Sequence, residues 1–259
     1  MALFESGNPT LSEKIFKRSL EATNNGTMTV RGALSKFGLL LFLVIAGAVY
    51  TWNLYGQYKI PTMMTLFYVG LFGGFVLALI ISFKPSTAKY LAPVYAILEG
   101  LFIGGLSVIV NQMVIAKNPS YGGIVPQAVA LTLGIAIVMF LLYNFRIIKP
   151  TEKFKSVIVS ATLGIFIFYL VYWVLSLFHV NMPFMQWGDN SLLGIGLNLF
   201  VVIIAALSLI LDFEQIEVGQ EMGAPKQMEW YGAFGLLITI VWLYVQVLKL
   251  LSRFASNRN

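Results

Sequence analysis

The 259-residue sequence contains no cysteine and a single histidine, His179. Without thiols there are no disulfides, no thiolate metal sites and no cysteine nucleophile. One imidazole leaves a catalytic triad or a multi-histidine metal site within one chain close to impossible. Charge is equally scarce. Asp, Glu, Lys and Arg make up 11% of the residues, where a soluble domain carries roughly a quarter. The net charge of +6 is small for the length and scattered over loops, which excludes a nucleic-acid-binding surface. The first 36 residues have no apolar core, so no cleavable signal peptide is expected and the first span directs insertion.

What the sequence has instead is apolar length. Hydrophobic residues account for 58% of the chain, and the mean hydropathy is +0.82. Seven apolar runs, near 37–54, 62–83, 90–114, 124–145, 156–178, 191–212 and 229–252, each approach the ~20 residues that a bilayer-spanning helix needs. The fold class that follows is an all-α membrane protein with seven transmembrane helices. A polar arm, 1–36, precedes the spanning domain, 37–252, and a short tail, 253–259, follows it. In the arm, Leu11, Ile15 and Leu20 recur beside Lys14, Lys17 and Arg18, the pattern of a short basic amphipathic helix suited to an anionic membrane surface.

Twelve Lys and Arg residues fall in the arm and in the loops after spans two, four and six, against Lys59 and Lys117 in the opposite loops. The positive-inside rule therefore puts the N-terminus in the cytoplasm. An odd number of spans then sends Lys249, Arg253 and Arg258 to the far side, against the rule. Either the last span is sheltered inside the protein or one run does not cross.

Charges inside the spans are few. Glu99 falls about ten residues into span three, roughly 15 Å along a helix and close to mid-membrane. An acid at that depth costs about 2.5 to 3.5 kcal/mol, so it should face the bundle interior or be protonated. Gly100 and Gly104 continue a stripe of small residues beside it, and Gly70 and Gly74 repeat the spacing in span two. Both stripes predict close helix packing. Span six ends in Asp212, placed at a helix C-terminus whose partial negative charge disfavours an anion and suits it to bind a proton or cation. Asn198 and Ser208 add polar groups earlier in that span. Glu214, Glu217 and Glu221 extend it as a solvated acidic helix, and a Gly223-to-Pro225 turn leads to Glu229, a first-turn acid of span seven. Oxygen ligands alone suit a hard cation such as Ca²⁺, or protons. Apart from that transported ion, no cofactor and no bound metal are expected.

Two stretches, Tyr90 to Ser107 (YLAPVYAILEGLFIGGLS) and Leu211 to Leu251 (beginning LDFEQIEVGQEMGAPKQMEWYGAFG), resemble the bacterial branch of the Bax inhibitor-1 family, the transmembrane Bax-inhibitor-motif proteins. The resemblance runs from about Gly32 to the C-terminus. It implies six helices around a central C-terminal one, a bacterial inner-membrane location, and a pH-sensitive Ca²⁺ leak gated by an aspartate pair on helices six and seven. Asp212 matches the first of that pair. The second position falls near Leu237, Ile238 or Thr239, none of them acidic. Glu229 or Glu217 could replace it, or Asp212 could work with Glu99 alone.

The expected function is a proton-sensitive cation leak or transporter with its acidic gate between helices six and seven. The alternative is a non-transporting regulator that binds another membrane protein, such as a quality-control protease, through helix faces. Enzymatic activity is not expected, because aspartyl chemistry needs two facing acids at similar depth, and Glu99 and Asp212 lie on the order of 15 Å apart in depth.

Overall fold

The computed structural model describes residues 26–119 and 123–255; the amphipathic segment of the arm and the tail 256–259 lie outside them. Among the described residues the chain forms seven α-helices: α1 (Val30–Gly56), α2 (Ile60–Phe83), α3 (Ala88–Lys117), α4 (Ile124–Asn144), α5 (Glu152–Leu177), α6 (Leu192–Glu221) and α7 (Met228–Ala255). Each belongs to a segment long and apolar enough to cross a membrane. Local chemistry sets their ends. Thr29 caps α1, its hydroxyl accepting from the Gly32 amide at 3.0 Å, and Thr151 caps α5 in the same way. Gly123 starts α4 at φ 91°, a conformation that favours glycine.

Two boundaries depart from the expected ones. The cap at Thr29 starts α1 at Val30, inside the segment assigned to the polar arm. At the other extreme, α6 does not stop at Asp212 but continues to Glu221, where Gly223 at φ 68° turns the chain. Asp212 therefore sits in a helix interior, nine residues before the C-terminus, and is not at the helix end expected from the apolar run, whose partial negative charge would disfavour its own.

Burial is uneven. In the most apolar window of α7, 72% of residues are buried, against 56% in α3 and α6 and 17–22% in the others. A spanning helix buried to that extent belongs to the protein core, polar face included. The four sparsely buried helices instead leave large apolar side chains exposed, as lipid-facing helices do.

The described residues form two compact units, 26–109 with 211–241 and 110–210 with 242–255. In the first, backbones touch through glycine. A Cβ on Gly104 would lie 2.6 Å from the Ala48 carbonyl oxygen, and one on Gly47 would lie 2.8 Å from that of Ile97, so α1 and α3 meet without side chains between them. Gly100 stands against the Val44 backbone in the same seam, and Gly70 brings α2 against α3 at Leu98 and Phe102. Gly74 differs: its neighbour is the Glu99 carboxylate, 3.2 Å from where a Cβ would stand.

In the second unit polar side chains make the cross-links. Asn198 of α6 donates to the Gln246 carbonyl and side-chain oxygens at 3.2 and 3.1 Å, and the Tyr169 hydroxyl of α5 donates to the same Gln246 side chain at 3.4 Å. Asn198 is thus a strut between α6 and α7. In the loop before α6, Asp189 accepts from Ser191 and pairs with Arg253 of α7.

Candidate functional site

The acidic residues singled out from the sequence all lie in the first unit. Glu99 occupies the middle of α3, one helical turn beyond Tyr95, and its carboxylate and the Tyr95 ring both face Gly74 of α2, 3.2 and 4.0 Å from where a Cβ would stand. Tyr95 is itself buried, and its ring meets Phe234 of α7 edge-on at 5.0 Å. Glu99 is therefore held from three sides: by its own helix, by the space that Gly74 leaves on α2, and through Tyr95 by the core helix. It faces the protein, as the cost of an acid in hydrocarbon requires.

Asp212 is fully buried in α6. Gln215, also buried, lies close to its face of the helix. Glu217 does not share that face, because five residues along an α-helix rotate a side chain by roughly 140°. Glu214 and Glu217 are half-buried and Glu221 is exposed, so the solvated acidic extension expected from the sequence is solvated only at its end. The position where a second aspartate was sought is apolar and closed: Leu237 is buried, and buried Thr239 donates its hydroxyl to the Gly235 carbonyl of its own helix.

Glu229 has a partner that the sequence reading used only as a topological charge. Its buried carboxylate forms an ion pair with Lys36 of α1 and accepts from both the amide and the hydroxyl of Thr29, at 3.0 and 3.1 Å. The Lys36 ammonium also lies 5.6 Å from the centre of the Trp230 ring. Backbone bonds reinforce this link. Met28 donates to the Ala224 carbonyl at 2.7 Å, Lys226 donates to that of Gly26 at 3.0 Å, and the Val30 amide reaches the Gln220 side chain at 2.7 Å. The start of α1 is strapped to the turn between α6 and α7, with Glu229 as its charged centre. Thr29 and Lys36 carry a weak sequence signal, a capping threonine and a cation at the start of a span, but nothing local pairs them with a residue some two hundred positions on.

Among the described residues no three His, Cys, Asp or Glu side chains assemble into a group able to hold a metal ion. Fewer than three such groups at one place can exchange protons or meet a passing cation through one or two oxygens, but they do not form a calcium cage, which takes six to eight oxygens. His179 is exposed in the loop after α5.

A family model described as Bax inhibitor 1 like matches residues 8–256, nearly the whole chain. No curated protein and no solved structure gives a significant match. Coverage of that extent takes in every helix described above, so the chain is a multi-pass membrane protein belonging to the Bax inhibitor 1 like family.

Proposed function

We propose that the protein is a non-enzymatic, proton-sensitive cation leak, with Ca²⁺ as the transported ion and Asp212 as the gate. The observation that carries this reading is a fully buried aspartate within α6, where the helix's long apolar run ends. A carboxylate kept at such a cost is a functional candidate by default. Glu99, half-buried one turn beyond Tyr95, supplies a second acidic position along the path. Glu229 is assigned a different role from the one a second gate acid would have: its oxygens are taken up by Lys36 and Thr29, which makes it an anchor. The proposed setting is a bacterial inner membrane with the N-terminus in the cytoplasm.

Ca²⁺ flux into dye-loaded proteoliposomes, followed across neutral pH, tests the proposal. Wild type should leak in a pH-dependent way. Asp212→Asn should abolish the pH response, leaving the leak permanently open or shut, and Glu99→Gln should lower the flux. A folded protein that gives no flux above empty liposomes would sink the leak and favour the regulator that binds another membrane protein. The small-residue stripes on α2 and α3 are filled by contacts within the chain and offer such a partner no free face.

A further inference from the structure

The second unit holds a cluster that the leak does not use. Gln246, Lys249 and Arg253 follow one another on α7 at spacings of three and four residues, so they share one face of the helix. All three are buried, with Lys249 7% exposed and Arg253 1%. Arg253 is satisfied on one side: it donates to the Phe184 carbonyl at 2.8 Å and pairs with the Asp189 carboxylate at 3.3 Å, although its Nε is buried without an acceptor.

Lys249 is not satisfied. Its ammonium lies 5.6 Å from the Tyr169 ring centre and 5.8 Å from that of Trp187. Among the described residues it meets no carboxylate. The sequence explains why: residues 110–210 and 242–255 contain only two acids, Glu152, which pairs with Lys155, and Asp189, which Arg253 occupies. Lys117 adds a further cation by donating to the Gly188 carbonyl at 3.4 Å. Three cations thus surround the 184–189 loop against one carboxylate. Aromatic rings soften a buried ammonium but do not neutralise it.

Tyr169 also forms part of a second feature. With Gly164 and Phe168 of α5 and Leu197, Phe200 and Val201 of α6 it lines an apolar crevice of about 250 Å³. A cation lacking an anion on one face of a tyrosine, and an apolar crevice bounded by the same tyrosine, match the two halves of an anionic amphiphile. We propose that this region binds one anionic phospholipid, its phosphate headgroup paired with Lys249 and part of an acyl chain in the crevice. A free anion would satisfy the ammonium but leave the crevice without a role. A zwitterionic lipid would fill the crevice but bring its own cation to the headgroup.

Native mass spectrometry of the full chain in detergent, titrated separately with phosphatidylglycerol, phosphatidylcholine and inorganic phosphate, tests this. One phosphatidylglycerol should be retained per chain, with an affinity at least about fivefold above that for phosphatidylcholine, the factor that one lysine contributes at an anionic surface. Lys249→Gln should remove that preference. Gly164→Leu should weaken retention by filling the crevice, since a Cβ there meets nothing within 4 Å and the helix has no reason to move. Equal retention of the two lipids, an unchanged preference in Lys249→Gln, or competition by inorganic phosphate with no lipid retained would each overturn the proposal. If Lys249→Gln does not fold, Gly164→Leu decides alone: unchanged phosphatidylglycerol retention overturns it.

Discussion

The two units of the molecule are built on opposite plans. Residues 26–109 with 211–241 bring helix backbones together through Gly47, Gly70, Gly100 and Gly104, and the charges they bury are acids, Asp212 and Glu229, with Glu99 half-buried. Residues 110–210 with 242–255 leave open space around Gly134, Gly164 and Gly196, while Gly194 is packed by Arg253 and the 184–189 loop rather than by a helix backbone, and the charges they bury are cations, Lys249 and Arg253. The contrast follows α7 itself, which begins with Glu229 and ends with Arg253. An acid in the first turn and a base in the last both complement the helix macrodipole. The macrodipole does not explain why the acid end is closed around its charge while the cation end keeps an unpaired ammonium beside an apolar crevice. Around Glu229 the charge is answered by Lys36 and Thr29, which leaves no place for a ligand there; an unanswered ammonium beside an open crevice asks for one.

The largest effect expected from breaking this contrast is at Arg253. Arg253→Met leaves the Phe184 carbonyl without its side-chain donor and Asp189 with Ser191 but no cation, and removing one partner of a buried pair costs several kcal/mol. Asp189 keeps some solvent, with its side chain 19% exposed, so the low end, about 3 kcal/mol, is expected as a marked fall in the thermal unfolding midpoint in detergent. Lys249→Met, four residues away, should not lower the midpoint in lipid-free detergent, because it removes an ammonium that nothing pairs. Equal losses from the two substitutions would mean that Lys249 is as well satisfied as Arg253.

Glu229 gives the corresponding measurement in the acid unit. Glu229→Gln keeps an acceptor for Thr29 but abolishes the charge that holds Lys36, itself 21% exposed. A charge-assisted hydrogen bond of this kind contributes about 1.5 to 3 kcal/mol. Lys36→Met should cost a similar amount. The double substitution should cost clearly less than the sum of the two, with the shortfall measuring their coupling. Strict additivity would show that the strap is held by its backbone bonds alone.

The sequence made the seven helices legible because an apolar run of bilayer length has few other uses, and it located Glu99 for the same reason: an acid inside such a run is conspicuous. It misled at Asp212, which was given the electrostatics of a helix end although the acids after it were expected to extend the helix, and that extension is solvated only at Glu221. Glu214, Glu217 and Glu221 interrupt hydropathy without interrupting helical hydrogen bonding. The Lys36–Glu229 pair and the Lys249 cluster were hidden by sequence distance, since a cation near a span end looks the same whether it faces headgroups or protein. The charge imbalance between the units also accounts for the basic C-terminal end that contradicted the loop count: Lys249 and Arg253 are buried in the second unit, whereas the positive-inside rule weighs charges in loops.

The smallest effects come from glycine, and they test the packing difference directly because one substitution can be made in both units. Gly104→Ala puts a methyl group 2.6 Å from the Ala48 carbonyl oxygen and 2.7 Å from its Cα, atoms of a helix backbone that cannot turn aside. The helices must separate, and overpacking of this kind costs about 1 to 3 kcal/mol. Gly134→Ala places the same methyl group where nothing lies within 4 Å, in the interior of α4. There the only change is the loss of glycine's backbone freedom, which favours the helix by up to about 1 kcal/mol. The two midpoints should therefore move in opposite directions by comparable amounts. If both fell, the second unit would be packed as tightly around α4 as the first is around α3, and the room it offers a lipid would have to be sought only where α5 and α6 line the crevice.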